Sequence, residues 1–294
     1  MTSKCKTIPF TKVKSPKNTQ LWLLGIGAGL IAINLTLTWK SGDVAQVGMS
    51  VLFLLAVASL LGDKRHSLDF ESGIIPSVLG GLLIGVVLWQ SATLRHGDLL
   101  EIFLRISPLI SGLAVGLLAS GFKGLKQYWQ ELTILFFLGI PKLVLSSLFD
   151  ISPLTAKFSA FLLWYSGFEV SLQGVFINLP TGSVKVYSAC SGIESICYLL
   201  GIAVICLLVF PIHRKQRTLV LVMAISLGFI INGIRVSLLA VISAQKNLQA
   251  FNYWHEGDGS LIFGMIQVIV FTLFYVFLLR QQEKNNQDST ELKK

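Results

Sequence analysis

TLVLVMAISLGFIINGIRVSLLAVIS, residues 218–243, is apolar almost throughout and carries a single charge, Arg235. At about 1.5 Å per residue it is long enough to cross a hydrocarbon core of about 30 Å. A guanidinium within such a segment costs about 3 kcal/mol on insertion scales, so Arg235 calls for a partner or an aqueous cavity. Asn232 lies one turn earlier on the same helical face. The plainer alternative is that Arg235 extends along the helix to the outer interface. Seven further stretches of similar character read as spans: roughly 21–39, 44–62, 74–91, 101–120, 131–150, 190–210 and 260–280. The chain of 294 residues is 53% hydrophobic and 13% charged, against roughly 25% charged in a soluble domain. These values predict an all-α polytopic membrane protein of about eight transmembrane helices. The longest stretch outside the spans runs from Ile151 to Ala189, too short for a nucleotide-binding or other separate soluble catalytic domain. Any chemistry therefore belongs among the helices and short loops.

The net charge of +9 reads as topology rather than nucleic-acid binding, because Lys and Arg gather in tails and alternate loops. With a cytoplasmic N-terminus, the inner segments hold sixteen of the 24 basic residues and the outer segments seven, with Lys142 inside a helix. The basic segment 1–20 and the polar tail 281–294 then lie on the cytoplasmic side of one membrane domain, 21–280. The first apolar run is too long for a signal-peptide core and reads as a retained span, and the tail as short and disordered. Phe158 to Val170, rich in Trp and Tyr, is too short to cross. If it did cross, Arg214, Lys215 and Arg217 would move outside, so it is expected to lie at the interface. Beyond it, Pro180-Thr181-Gly182 with Val184 and Val186 predicts a small extended hairpin on the outer face. Gly25, Gly27, Gly29, Gly80, Gly81 and Gly85 read as close-packing positions.

This topology puts Cys190, Arg235 and His255 on one side of the membrane. Cys190 opens the sixth span between Ala189 and Ser191-Gly192, where a helix N-terminus favours a thiolate. Cys197 and Cys206 lie deeper and read as small apolar fillers. Glu194, one turn after Cys190, is expected to pair with Arg235, to position the site, or to form a purely structural ion pair. His255 sits in Tyr253-Trp254-His255-Glu256-Gly257 and is either a surface residue or, beside Cys190, a proton carrier for a thiol nucleophile. His66, His96 and His213 have no comparable company. Four cysteines without a Cys-x-x-Cys pair predict neither a disulfide framework nor a zinc site. No metal or organic cofactor is expected.

The ordered set Ala189-Cys190-Ser191-Gly192-Ile193, Asn232-Gly233-Ile234-Arg235 and His255-Glu256-Gly257 resembles the exosortase/archaeosortase family, and the cyanobacterial exosortases in particular. Asn178-Leu179-Pro180-Thr181-Gly182 is similar to the family's segment before the cysteine, so the resemblance covers about residues 165–275. It implies a cysteine transpeptidase of the plasma membrane, with Cys190, Arg235 and His255 catalytic; Glu194 and Asn232, from their places one turn away on the same helices, are expected to position substrate. The substrates it implies are membrane-anchored proteins ending in a Pro-Glu-Pro-type motif, a transmembrane helix and a basic tail. The acceptor would be a lipid or glycan amine, or water. A transporter or flippase that passes an anionic or lipid substrate along Arg235 and Glu194 is the alternative, and a noncatalytic scaffold is a second one. The transporter reading predicts charges spread through both halves, whereas the polar positions noted here fall in the last third.

Overall fold

In hydrocarbon a spanning segment must satisfy its own backbone N–H and C=O groups, so the apolar runs form helices. The computed structural model describes residues 17–94, 97–255 and 257–291. Lys4, Lys6, Lys12, Lys14, Cys5, Arg95, His96, Glu256, Lys293 and Lys294 lie outside the described residues. The order is α1 (Lys17–Lys40), α2 (Val44–Lys64), α3 (Ile74–Thr93), α4 (Asp98–Gly124), α5 (Trp129–Leu148), α6 (Ser152–Tyr165), β1 (Ser171–Gln173), β2 (Phe176–Leu179), β3 (Gly182–Lys185), α7 (Ile193–Val209), α8 (Arg214–Ala244), α9 (Leu248–His255) and α10 (Asp258–Glu291).

Seven helical stretches among the described residues are long and apolar enough to cross a membrane. One of them, Asp98–Leu148, has 51 residues. As a straight helix it would measure about 77 Å, more than twice the bilayer core. It is folded back at Gly121, which leaves the helical region at φ 63°, and at the 3₁₀ turn Leu125–Tyr128. The two legs run antiparallel: Gly139 lies against the backbone of Arg105, Gly112 against Leu135, and Gly116 against Leu125 and Tyr128. The eight expected crossings are thus α1 to α5, α7, α8 and α10. Polar contacts tie the hairpin's bend to the α2–α3 loop. Lys64 donates to Glu131 at 3.0 Å, and Gln127 and Ser120 both donate to the carbonyl of Asp69.

Helix α6 has 14 residues, about 21 Å, and is too short to cross. It starts at Ser152 rather than Phe158 because Pro153 suits the first helical turn. It stops at Tyr165 because Gly167 takes φ +87°, with Gly167 N–H bonded to Trp164 O and Phe168 N–H to Leu163 O, the pattern of a Schellman stop. The extended segment is a three-stranded antiparallel meander, β1-β2-β3. Its second turn uses Pro180-Thr181 as expected. The first strand, turned by Gly174 at φ +63°, adds to the two-stranded hairpin of the sequence reading.

Lipid supplies no hydrophobic drive between helices, so close packing carries the association. One cluster joins five helices through Phe53, Leu138, Leu199, Ala224, Phe271 and Tyr275. The Tyr275 hydroxyl reaches the carbonyls of Cys206, 3.0 Å, and Phe210, 2.6 Å, at the end of α7, where helix carbonyls lack following N–H groups. A second cluster seats the meander, through Ile177, Leu179 and Val186, on Ala156 and Leu163 of α6 and on Val236 and Ala240 of α8. Of the six glycines expected at close contacts, only Gly80 faces a neighbour, the Ala114 carbonyl and Leu118. Gly25, Gly27, Gly29, Gly81 and Gly85 face open space. The tail is helical as far as Glu291, continuing α10 where the sequence suggested an irregular segment.

Candidate active site

The segment that presents Cys190 is folded by its own backbone and clasped by two neighbouring helices. After β3, Val186 N–H bonds to Val175 O, and a 3₁₀ turn over Ser188–Cys190 places Cys190 N–H on Tyr187 O at 2.9 Å. Thr155 of α6 donates to Ser191 O at 2.6 Å, and the buried Asn232 of α8 donates to Cys190 O at 3.0 Å. Gly192 then caps α7 at φ +97°, a left-handed conformation that L side chains rarely adopt. A Cβ there would stand 2.7 Å from the Asn232 amide. Gly192→Ala is therefore expected to push the turn away from α8. We expect the thermal midpoint in detergent to fall and turnover to drop about tenfold, since an ångström of misplacement is costly at a reacting centre. Thermal unfolding and turnover on the same preparation check this.

His255 ends α9, an eight-residue helix between α8 and α10. Its Nε2 lies 3.2 Å from Cys190 Sγ, within the reach of a nucleophile–base pair. The ring stacks on Phe251, 5.2 Å between centroids and 24° between planes, which fixes its orientation. Arg235 approaches from α8 and donates Nη2 to His255 O at 2.6 Å, capping a carbonyl at the end of α9. The guanidinium thus spends one donor on holding α9 rather than extending to the interface. Its Nε is buried and has no hydrogen-bond partner among the described residues. Gly233, next to Asn232, leaves room for Phe158 of α6. The structure brings Cys190, Asn232, Arg235 and His255 together from three places in the chain: the turn before α7, helix α8 and the end of α9. Cys197 is buried among helices. Among the described residues no group of three or more His, Cys, Asp and Glu could hold a metal ion.

A cysteine facing a histidine beside an arginine, at one end of a helical membrane bundle, is the setting in which the family comparison has its meaning. Residues 39–272 match the family model described as Transmembrane exosortase. The chain belongs to the transmembrane exosortase family. The match is to the family and not to a branch of it, and it implies the processing of sorting signals on protein substrates by a peptidase or transpeptidase. The chain has no match among curated proteins and none among solved structures.

In this exosortase-family chain Glu194 does not pair with Arg235. Its Oε1 accepts from Arg105 Nη2 at 2.8 Å and from Lys142 Nζ at 2.6 Å. Arg105 is 1% exposed and also donates to Gln46, Tyr198 and Glu101, with Asp43 at 3.5 Å. Lys142 bridges to Glu101 as well. The polar positions therefore do not fall only in the last third of the chain: α2, α4 and α5 contribute to a charged cluster against the first turn of α7. Sequence reasoning counted Arg105 among outer helix ends and left Lys142 unassigned. The missed signal was two cations well inside adjacent apolar segments, at matching depths once those segments form an antiparallel hairpin.

Proposed function

We propose that the chain is a cysteine transpeptidase that removes the C-terminal sorting signal of exported membrane-anchored proteins. The signal would comprise a Pro-Glu-Pro-type motif, a transmembrane helix and a basic tail. The observation that carries this is the 3.2 Å approach of Cys190 Sγ to His255 Nε2 beside Arg235. His255 takes the thiol proton as Sγ attacks the backbone carbonyl carbon near the motif. Arg235 faces the developing oxyanion with its Nε, which has no partner among the described residues, or clamps a carboxylate of the motif. Collapse breaks the C–N bond, the amine leaves with the proton held by His255, and the acyl group remains on Cys190 as a thioester. An amine on a lipid or glycan, or water, then attacks that thioester. His255 takes the acceptor's proton and returns it to the departing thiolate. The basic-residue bias supports an active site on the outer face of the plasma membrane with cytoplasmic termini. Docking the substrate's own helix in the bilayer would bring its outer end to the turn before α7.

Arg235 has separable roles in this scheme. Arg235→Gln is expected to lower kcat about a hundredfold, the typical cost of losing one preorganised donor to a developing charge. A rise in KM with kcat intact would assign it to ground-state binding of the motif instead. Arg235→Lys is expected to recover little, because an ammonium lacks the planar fork.

The test of the function as a whole is co-expression with a tagged protein bearing such a signal. Loss of the tail with the intact chain, and its retention with Cys190→Ala at equal membrane abundance, is the expected result. Equal processing by both would contradict it. The transporter alternative needs Glu194 as a path residue, but that carboxylate is held by Arg105 and Lys142.

A further inference from the structure

Cys190 is one helical turn before Glu194, with Gly192 between them. On one side the turn is held by Asn232 and Thr155, through the carbonyls of Cys190 and Ser191. On the other side the first turn of α7 is anchored through Glu194, whose Oε1 receives both Arg105 and Lys142. Arg105 comes from α4 and Lys142 from α5. The two helices are locked at that depth because Gly139 of α5 meets the Arg105 backbone, where no side chain would fit. Gln46 of α2 accepts from Arg105 at 2.8 Å and from Tyr198 of α7, so a second helix braces the same cation.

We infer that Arg105 and Lys142 are positioning residues for the nucleophile. They grip Glu194 and so hold the α7 turn with Cys190 against His255. This rests on Cys190 being the nucleophile, as proposed above. It gives α2, α4 and α5 a part in the chemistry although none of them reaches the reacting atoms. It also sets this cluster apart from Lys64–Glu131, an ion pair between the end of α2 and the first turn of α5, at the end of the α4–α5 hairpin away from Glu194.

The experiment uses the full-length chain in membranes and two readouts. One is steady-state processing of the tagged substrate. The other, which needs no substrate, is the rate at which iodoacetamide alkylates Cys190, followed by peptide mass spectrometry. Arg105→Gln and Lys142→Gln are each expected to lower kcat about tenfold with KM within about twofold, and to slow alkylation of Cys190. Arg105→Lys is expected to restore most of both, and Lys64→Gln to leave both at the wild-type level. Wild-type kcat and alkylation in Lys142→Gln would overturn the inference, as would an equal loss in Lys64→Gln. Should Arg105→Gln fail to reach the membrane, Lys142→Gln decides alone, because its side chain is 20% exposed and tolerates the change more readily. If Cys190→Ala still processes substrate, it is the nucleophile assignment that falls and not only the positioning role.

Discussion

Cys190→Ala is expected to lower the rate of tail removal by about ten-thousandfold, with the chain inserted and folded as before. The magnitude follows from losing the atom that forms the covalent intermediate: in catalytic units of this kind removing the nucleophile costs as much as removing the whole unit. Cys190→Ser is expected to be nearly as inactive, because a hydroxyl is a far poorer nucleophile than a thiol at neutral pH. Fold should survive both changes, since the turn is held by the backbone carbonyls of Cys190 and Ser191 and not by the sulfur. The comparison that isolates the effect is Cys197→Ala, which removes a thiol buried in the bundle and should cost about 1 kcal/mol of stability with turnover unchanged. Quantitative blotting of tagged substrate across a time course separates these outcomes. For a noncatalytic scaffold the state of the tagged substrate would be the same in all of them.

His255→Ala is expected to cost about a thousandfold in kcat, within the range for removing a positioned general acid–base. The imidazole serves twice in the proposed cycle, taking the thiol proton and giving one to the leaving amine, so its loss slows acylation directly. The substitution also takes away the ring that stacks on Phe251, but α9 retains the Arg235 bond to the backbone carbonyl of residue 255. The helix end should therefore stay in place. His255→Ala and Cys190→Ala combined should be little worse than Cys190→Ala alone, the non-additivity expected of residues that act as one unit. Independent, additive losses would mean that the two side chains serve different functions, and the 3.2 Å contact would then lack catalytic meaning.

Much of this arrangement could be read from the chain because it depends on local chemistry. Apolar runs of bilayer length mark the crossings, and the basic residues argue against a crossing between Ile151 and Ala189, where α6 proves too short to span. Pro180-Thr181-Gly182 marks the turn into β3. Cys190, Asn232, Arg235 and His255 draw attention as polar groups beside or within apolar helices, and they do converge. What escaped depends on which helices are neighbours, and periodicity in one segment carries no information about that. Glu194 finds Arg105 and Lys142, 89 and 52 residues away, rather than Arg235, three helical faces having been brought together by the antiparallel α4–α5 hairpin. The glycines show the same limit. Gly25 and Gly81 look identical in sequence to Gly139 and Gly228, yet only the latter two meet another helix. Helix α9 went unremarked because eight residues with Asn, Gln and three aromatics have little helical signature of their own, and it is held in place by contacts with α8 and α10.

The covalent intermediate is the most direct test of the central claim. Purified chain in detergent is incubated with a substrate bearing the sorting signal, quenched in acid, and measured by intact mass spectrometry. The account predicts a mass gain equal to the substrate portion upstream of the cleaved bond. It should map to Cys190, be released by hydroxylamine as a thioester requires, and be absent in Cys190→Ala. Cleavage that proceeds without an adduct on Cys190, and equally in Cys190→Ala, would contradict it.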